Sequence, residues 1–259
     1  MRLRVLTYNI HGRRDDRAAL VEVVRSIAPD VAILQEAPRH WRWRSKCAAL
    51  ADSFGMFVGV GGLPALGNLI LTTLRVQVTD TWSVRFPLTP GRHLRGAAFA
   101  RCALGPTRFV VTGSHLATDP AERPAQARLL RQACAQLDEP LILGLDVNDT
   151  PPAADRCVAG NAASAWQIVA AGLTDTAAVT GVGDVRTFPC AGPDRRLDAI
   201  FVDPRIRVAA CTVVDTAPAR RASDHLPVVA DLILPAPAAA SHQVTDQVTG
   251  RGSDRGPDR

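Results

Sequence analysis

Nine short runs of apolar and β-branched residues recur along the chain, at 3–9, 30–36, 56–60, 68–73, 97–104, 108–115, 141–146, 196–202 and 226–234, with only three helical patterns among them. Some runs alternate apolar with polar residues, as half-buried strands do, and others are continuously apolar, as strands covered on both faces are. A doubly wound parallel sheet needs a crossover helix between most successive strands, and the count is against it. Two mixed sheets packed together with outer helices suit both kinds of run. The helical patterns are Leu20, Val23, Val24 and Ile27 after Asp15 and Asp16, closed by Pro29, then 122–137 and 162–171. No internal repeat is evident. From Pro235 the chain turns to Pro, Ala, Ser, Gly and charged residues without periodicity, so 236–259 is expected to be a disordered tail behind a domain at 1–235.

With 259 residues, 47% of them hydrophobic, the chain can bury a full-sized core. Cys47, Cys102, Cys134, Cys157, Cys190 and Cys211 are irregularly spaced with no CxxC pair, which argues against a zinc cluster or a disulfide scaffold and for reduced, mostly buried thiols. The first residues reach Asn9 and His11 before any apolar segment develops, and no later run approaches a membrane span, so a cytoplasmic protein is expected. The formal charge of +5 favours an anionic partner. Lys46 is the only lysine, however, and an arginine and alanine bias of this kind also follows from a GC-rich genome, so the charge carries little weight.

More telling is what stands at the ends of the runs. Asn9 ends the first, Glu36 the second, His115 the run at 108–115, and Asp146 with Asn148 the run at 141–146; Asp198 lies within RRLDAIFV, and Asp224 and His225 precede the last run. Each alone reads as a cap or turn residue. Together they are groups suited to metal or phosphate chemistry, placed where loops leave strand ends and side chains converge on one pocket.

The motifs TYNIHG, ILQE, GSHL, LGLDVND, RRLDAIFV and SDHLPV, in this order, resemble those of the endonuclease/exonuclease/phosphatase superfamily of metal-dependent phosphoesterases, over residues 3–233. The resemblance implies an α/β fold, a four-layer α/β/β/α sandwich with two packed mixed sheets in one domain. It also implies a divalent cation, Mg2+ or Mn2+, both of which accept oxygen ligands. Glu36 is then the principal metal ligand, with Asn9 beside it and Asp224 contributing. Asp146 is similar to the family residue that activates water, Asn148 to the asparagine that orients water or phosphate, and His115 to a donor to a phosphate oxygen. His225 faces the phosphate, and Asp198 accepts its second N–H, fixing the tautomer and favouring the charged ring. Ser223 caps the turn. One departure is His11, which stands where abasic-site endonucleases carry an acid; together with the SHL histidine it turns the reading away from abasic-site repair.

Substrate is less legible. The segment RHWRWRSK interleaves Arg39, Arg42 and Arg44 with Trp41 and Trp43, a composition suited to phosphates and stacked bases, and equally readable as a helix start with inward tryptophans. PGRHLRG, with Arg95, is a second basic loop, and Asn68, Arg186 and Thr187 occupy positions that often line the family's cleft. His11 reads either as a substrate contact or as a turn residue. The leading expectation is a phosphate-ester substrate, with nucleic acid favoured by the Arg-Trp segment. A phosphomonoesterase or sphingomyelinase-like phospholipid hydrolase is the alternative, and a binding module without catalysis would require a broken site, which the intact residue set opposes. Oligomeric state is not legible.

Overall fold

Alternation and continuity along the apolar runs become two stacked sheets in the computed structural model of the chain, which describes residues 1–152 and 163–236. In chain order the first strands are β1 (Arg2–Asn9), β2 (Val31–Gln35), β3 (Phe57–Gly61), β4 (Leu69–Thr72), β5 (Gln77–Arg85) and β6 (Gly96–Leu104). They are followed by β7 (Thr107–His115), β8 (Leu141–Asp146), β9 (Thr174–Asp175), β10 (Asp198–Val202), β11 (Arg207–Val213) and β12 (Val228–Ile233). The helices are α1 (Arg17–Ile27), α2 (Trp43–Phe54), α3 (Arg123–Cys134), α4 (Ala165–Ala170), α5 (Thr176–Val179) and α6 (Ala217–Ala222). One sheet runs β11-β12-β1-β2-β4-β3 and the other β5-β6-β7-β8-β10-β9.

Each sheet has one parallel pair, β1 with β2 and β7 with β8, and the remaining pairs are antiparallel. A parallel pair needs a crossover, and α1 and α3 supply the two. Helix α1 starts where Asp16 Oδ1 accepts from the N–H groups of Ala18 and Ala19, and stops at Ala28, which turns left-handed ahead of Pro29. The inner faces bury Val5, Ile33, Ile70, Phe109, Val111, Ile142, Ile200 and Val228 between the sheets. Outside, Leu6, Tyr8 and Leu34 pack under α1, α2 and α6, while Phe99, Val110 and Phe201 pack under α3 and α4. The result is the four-layer α/β/β/α sandwich expected.

Two glycines bring the sheets close near one edge. Gly113 and Gly144 sit opposite each other in the β7–β8 ladder. A Cβ on either would lie 2.7 Å from Ile33, and one on Gly144 would also lie 3.0 Å from Thr7. That edge is the one to which polar residues are delivered. The C-terminal ends of β1, β2, β7 and β8 meet there with the N-terminal ends of the antiparallel β10 and β12. In register, His115 stands opposite Asp146, and Asp146 opposite Asp198.

The expected helices at 122–137 and 162–171 are shorter, at Arg123–Cys134 and Ala165–Ala170, and residue 162 lies outside the described residues. So do Cys157 and 237–259, almost all of the expected tail. The strands β5, β9 and β11 were not anticipated. All three are sheet edges, and β5 and β11 are largely exposed, so neither shows an apolar run. Cys47, Cys102, Cys134, Cys190 and Cys211 are buried free thiols. Among the described residues no helix is long and apolar enough to cross a membrane.

Candidate active site

A side chain on the last residue of a strand is aimed by the ladder behind it and freed by the loop ahead. Asp146 ends β8 in this way and is almost fully buried. Its Oδ2 accepts from Asn9 Nδ2 at 3.0 Å across the gap between the sheets, and its Oδ1 accepts from the Asn148 backbone N–H at 2.9 Å. Asn148 adopts a left-handed conformation (φ 52), which asparagine tolerates, and the loop turns there. Burial pushes the Asp146 carboxyl up to about 6, the charge of Asp198 adds to that, and His225 with the two hydrogen bonds opposes it.

His225 donates from Nδ1 to Asp198 Oδ2 at 2.8 Å, and its Nε2 lies 3.7 Å from Asp146 Oδ2. Burial alone would lower its pKa, but Asp198, by charge and by hydrogen bond, then Asp146 and Asp224, outweigh it and lift the ring to about 10. It is therefore an imidazolium at neutral pH. The Phe188 ring, 4.7 Å away, backs it. Thr187 Oγ1 accepts from the backbone N–H groups of Leu197 and Asp198, and its carbonyl accepts from Leu226 N–H, so one threonine sets the entries to both β10 and β12. Ser223 caps its turn, accepting from His225 N–H, and also donates to the Asn9 carbonyl at 2.7 Å, which ties the SDH turn to the end of β1.

His115 ends β7 and is buried. Arg95 Nη1 lies 3.0 Å from its Nδ1, where a guanidinium only donates, and Asp146 Oδ2 lies 3.3 Å from its Nε2. Asn148 Nδ2, which donates to the Leu116 carbonyl, lies 2.9 Å from Nε2, so N–H donors face both ring nitrogens. Burial first, then the Arg95 charge, holds the His115 pKa well below 6.5. The two histidines are thus opposites, one neutral and one charged.

These groups floor a cleft whose two lobes have volumes of about 540 and 370 Å3 and share Glu36, Arg95, His115, Thr118 and Asp224. Glu36 is held at φ 56, a conformation glutamate rarely adopts, and no side chain among the described residues pairs with its carboxylate. Among the described residues Asn9 Oδ1 accepts only the His11 backbone N–H, and the Asp224 side chain, which lines the cleft, is 38% exposed. An unpaired carboxylate, a second carboxylate and an amide oxygen are hard oxygen donors of the kind a divalent cation takes. Asp146, Asp198 and His225 also bring ligand atoms within 4.8 Å of one another. A cation among those three would have to displace a proton from the His225 imidazolium, so the Glu36 side of the cleft fits better.

Of the expected substrate contacts, Arg95 and His11 line the cleft; His11 also forms a tight turn and pairs with Asp15 at 2.7 Å. Arg42 and Arg44 line a separate depression that shares Arg39 and His40 with the cleft. Asn68 does not line it. Its amide donates inward to the carbonyls of Ala65 and Gly96, stapling two loops. Arg186 is exposed away from the cleft, and Arg195, nine residues on, lines it instead. Arg14 and His93 also reach the larger lobe. No sequence period distinguishes these loop residues from their neighbours.

A profile of the Endonuclease/Exonuclease/phosphatase family matches residues 6–225. No curated protein matches the chain. Among solved structures, an endonuclease/exonuclease/phosphatase from Beutenbergia cavernae is 26% identical, with 92% of this chain and 73% of that one covered and a TM-score of 0.65. A Bacteroides thetaiotaomicron mannosyl-6-phosphatase is 15% identical, covering 90% of this chain and 100% of that one, at a TM-score of 0.69. D. rerio TDP2, complexed with a single-strand DNA product, is 19% identical over 90% of this chain and 99% of that one, at a TM-score of 0.67. The last two are likenesses of fold.

Proposed function

The chain belongs to the endonuclease/exonuclease/phosphatase family, and from that premise we propose that it is a divalent-metal-dependent phosphodiesterase of the nuclease type. The observation that carries the reading is the buried row of His115, Asp146 and Asp198, with the His225 imidazolium bridging the two carboxylates, facing an unpaired Glu36. A phosphodiester is shielded by its own charge, and hydrolysis needs positive charge on its oxygens, an oriented water and help for the leaving oxygen. Glu36, Asn9 and Asp224 are the residues that would hold a cation, Mg2+ or Mn2+, which supplies Lewis-acid stabilisation of phosphate charge when bound.

The chain's own residues do the rest. Asp146, with its carboxyl lifted to about 6, is ionised at neutral pH yet basic enough to take a proton from water. Asn9 and the Asn148 backbone fix both of its oxygens, so the water it holds has one orientation. His225 offers Nε2–H to a phosphate oxygen while Asp198 keeps the ring charged. His115, neutral, stands on the opposite wall, and Arg95, Arg123 and Arg195 line the same lobe, where anionic oxygens would sit.

The larger lobe, with Arg14, Arg39, Arg95, His40 and His93 at its walls, favours a second reading, a phosphomonoesterase for a dianionic phosphate. Purified protein incubated with bis-p-nitrophenyl phosphate, p-nitrophenyl phosphate, single- and double-stranded DNA, RNA and sphingomyelin, each with Mg2+, Mn2+ or EDTA, tests both. Cation-dependent cleavage of the diester and of a nucleic acid is the expected result. Turnover of the monoester alone selects the second reading, and turnover in excess EDTA overturns the metal requirement.

A further inference from the structure

The two tryptophans of RHWRWRSK part company in the fold. Trp43 begins α2 and packs over Gly62, where a Cβ would lie 2.4 Å from the ring. Trp41 is 79% exposed, the most open of the aromatic side chains that face solvent. Arg42 stacks on the Trp41 ring at 5.4 Å and Arg44 on the Trp43 ring at 4.5 Å, and neither has a carboxylate partner among the described residues. No Asp or Glu occurs between residues 37 and 51, whereas Arg39, Arg42, Arg44 and Lys46 do. Together with Leu63, these arginines and tryptophans line a depression of about 370 Å3.

Its position relative to the cleft matters as much as its composition. Arg39 and His40 line both concavities, and Arg39 is held in place by donating to the Leu66 carbonyl at 3.1 Å. Five residue-to-residue steps lead from Glu36 to Trp41, a reach of at most about 18 Å. A strand of a few nucleotides crosses that distance. A duplex presents no free base face to an exposed indole, because its bases are already stacked on one another, whereas an unpaired base does.

We infer that Trp41, with Arg42 and Arg44 beside it, is a stacking subsite for an unpaired base of a single-stranded nucleic acid whose neighbouring phosphates run along Arg39 into the catalytic cleft. This rests on the phosphodiesterase reading and adds the strandedness of its substrate. Base stacking on one aromatic ring contributes enough that its removal weakens binding about tenfold. Each arginine that contacts a phosphate adds about one unit to the slope of log affinity against log salt.

The test is fluorescence anisotropy on the full chain in EDTA, with labelled oligodeoxythymidylate, oligouridylate, blunt DNA duplex, and phosphatidylcholine/phosphatidylserine vesicles as separate arms. Trp41→Ala should lose about tenfold in affinity for both single strands, Trp41→Phe should retain most of it, and Arg42→Ala with Arg44→Ala should flatten the salt slope. Trp41 is exposed, so these variants should give the wild-type circular dichroism spectrum and melting curve. Equal affinity of wild type and Trp41→Ala overturns the subsite, as does preference for duplex, or binding of vesicles in place of strands. If wild type hydrolyses bis-p-nitrophenyl phosphate but binds no strand, this inference alone fails. If it does not hydrolyse the diester, the underlying reading fails.

Discussion

Replacing Asp198 with asparagine changes one charge in a buried row and leaves its shape. Asp198 is the leading reason that His225, whose burial alone would depress its pKa, instead stands at about 10 against an ordinary 6.5. That difference corresponds to a preference for the imidazolium of about 5 kcal/mol. Without the Asp198 charge, burial is opposed only by Asp146 and the more distant Asp224, and the ring becomes neutral at assay pH. If the amide oxygen takes the Nδ1–H, the neutral ring has no Nε2–H to offer the substrate, and if the NH2 turns to Nδ1 instead, Nε2–H is kept but without the charge. Loss of a charged transition-state donor lowers turnover by about 100- to 1,000-fold. The effect should fall on kcat and leave KM within about threefold, because the contact strengthens only as charge develops. The assay is steady-state hydrolysis of bis-p-nitrophenyl phosphate by wild type, Asp198→Asn, His225→Ala and the double variant, with nitrogen-15 NMR of His225 to read its protonation. The double variant should be little worse than either single one. Wild-type turnover in Asp198→Asn, a loss confined to KM, or losses that multiply in the double variant would refute the catalytic pair.

Three further outcomes follow from the same geometry. A histidine whose folded pKa is raised stabilises the fold fully below the unfolded value, and loses that contribution as pH rises from about 6.5 through about 10; thermal melts should therefore fall over that window in wild type at up to about 1.4 kcal/mol per pH unit, and Asp198→Asn should flatten the curve. Gly144→Ala forces a Cβ to 2.7 Å from Ile33 Cδ1, overpacking that lowers stability by about 1–3 kcal/mol; Ile33→Val, which removes the clashing atom, should restore part of the melting temperature, and an unchanged melt for Gly144→Ala alone would show that the sheets are not held this close. Arg95→Met removes the donor facing His115 Nδ1 and leaves Asn148 Nδ2 facing Nε2, so NMR should show the ring proton on Nδ1 and turnover should fall; the same ring-proton distribution as in wild type would mean that Arg95 does not set the tautomer.

Which parts of this were legible beforehand follows from where each signal arises. The inner strands announce themselves because burial on both faces leaves no choice but continuous apolar residues, as in LILGLD, whose six positions are all buried. Edge strand β5, mostly exposed, has no such constraint. Groups at the ends of inner strands were equally legible: Asn9, Glu36, His115, Asp146, Asn148, Asp224 and His225 line one cleft, and Asp198 lies directly behind His225. Loop residues were legible only in part: Arg95 and His11 line the cleft as expected, while Arg14, His93 and Arg195 carried no signal. Arg95 reaches His115 only because the β6–β7 register sets Ala97 opposite Ser114, a long-range fact no local pattern encodes. Asn68 and Arg186 have the right chemistry but point elsewhere, and the choice of Arg195 over Arg186 depends on the path of the loop. The burial of Trp43 likewise turns on Gly62, a distant residue whose missing Cβ leaves room for its ring.

If Glu36 recruits the cation on which phosphodiester hydrolysis depends, a Mg2+ titration of bis-p-nitrophenyl phosphate hydrolysis by wild type and Glu36→Gln will separate the two proteins. A carboxamide keeps the size of the side chain and lacks the charge that draws a hard cation. Wild type should be inactive in EDTA and saturate with Mg2+, whereas Glu36→Gln should need at least about tenfold more Mg2+ for half of a reduced maximum, a loss of the size that follows when support of a metal site is removed. Identical titration curves for the two proteins, or full activity of wild type in excess EDTA, would contradict it.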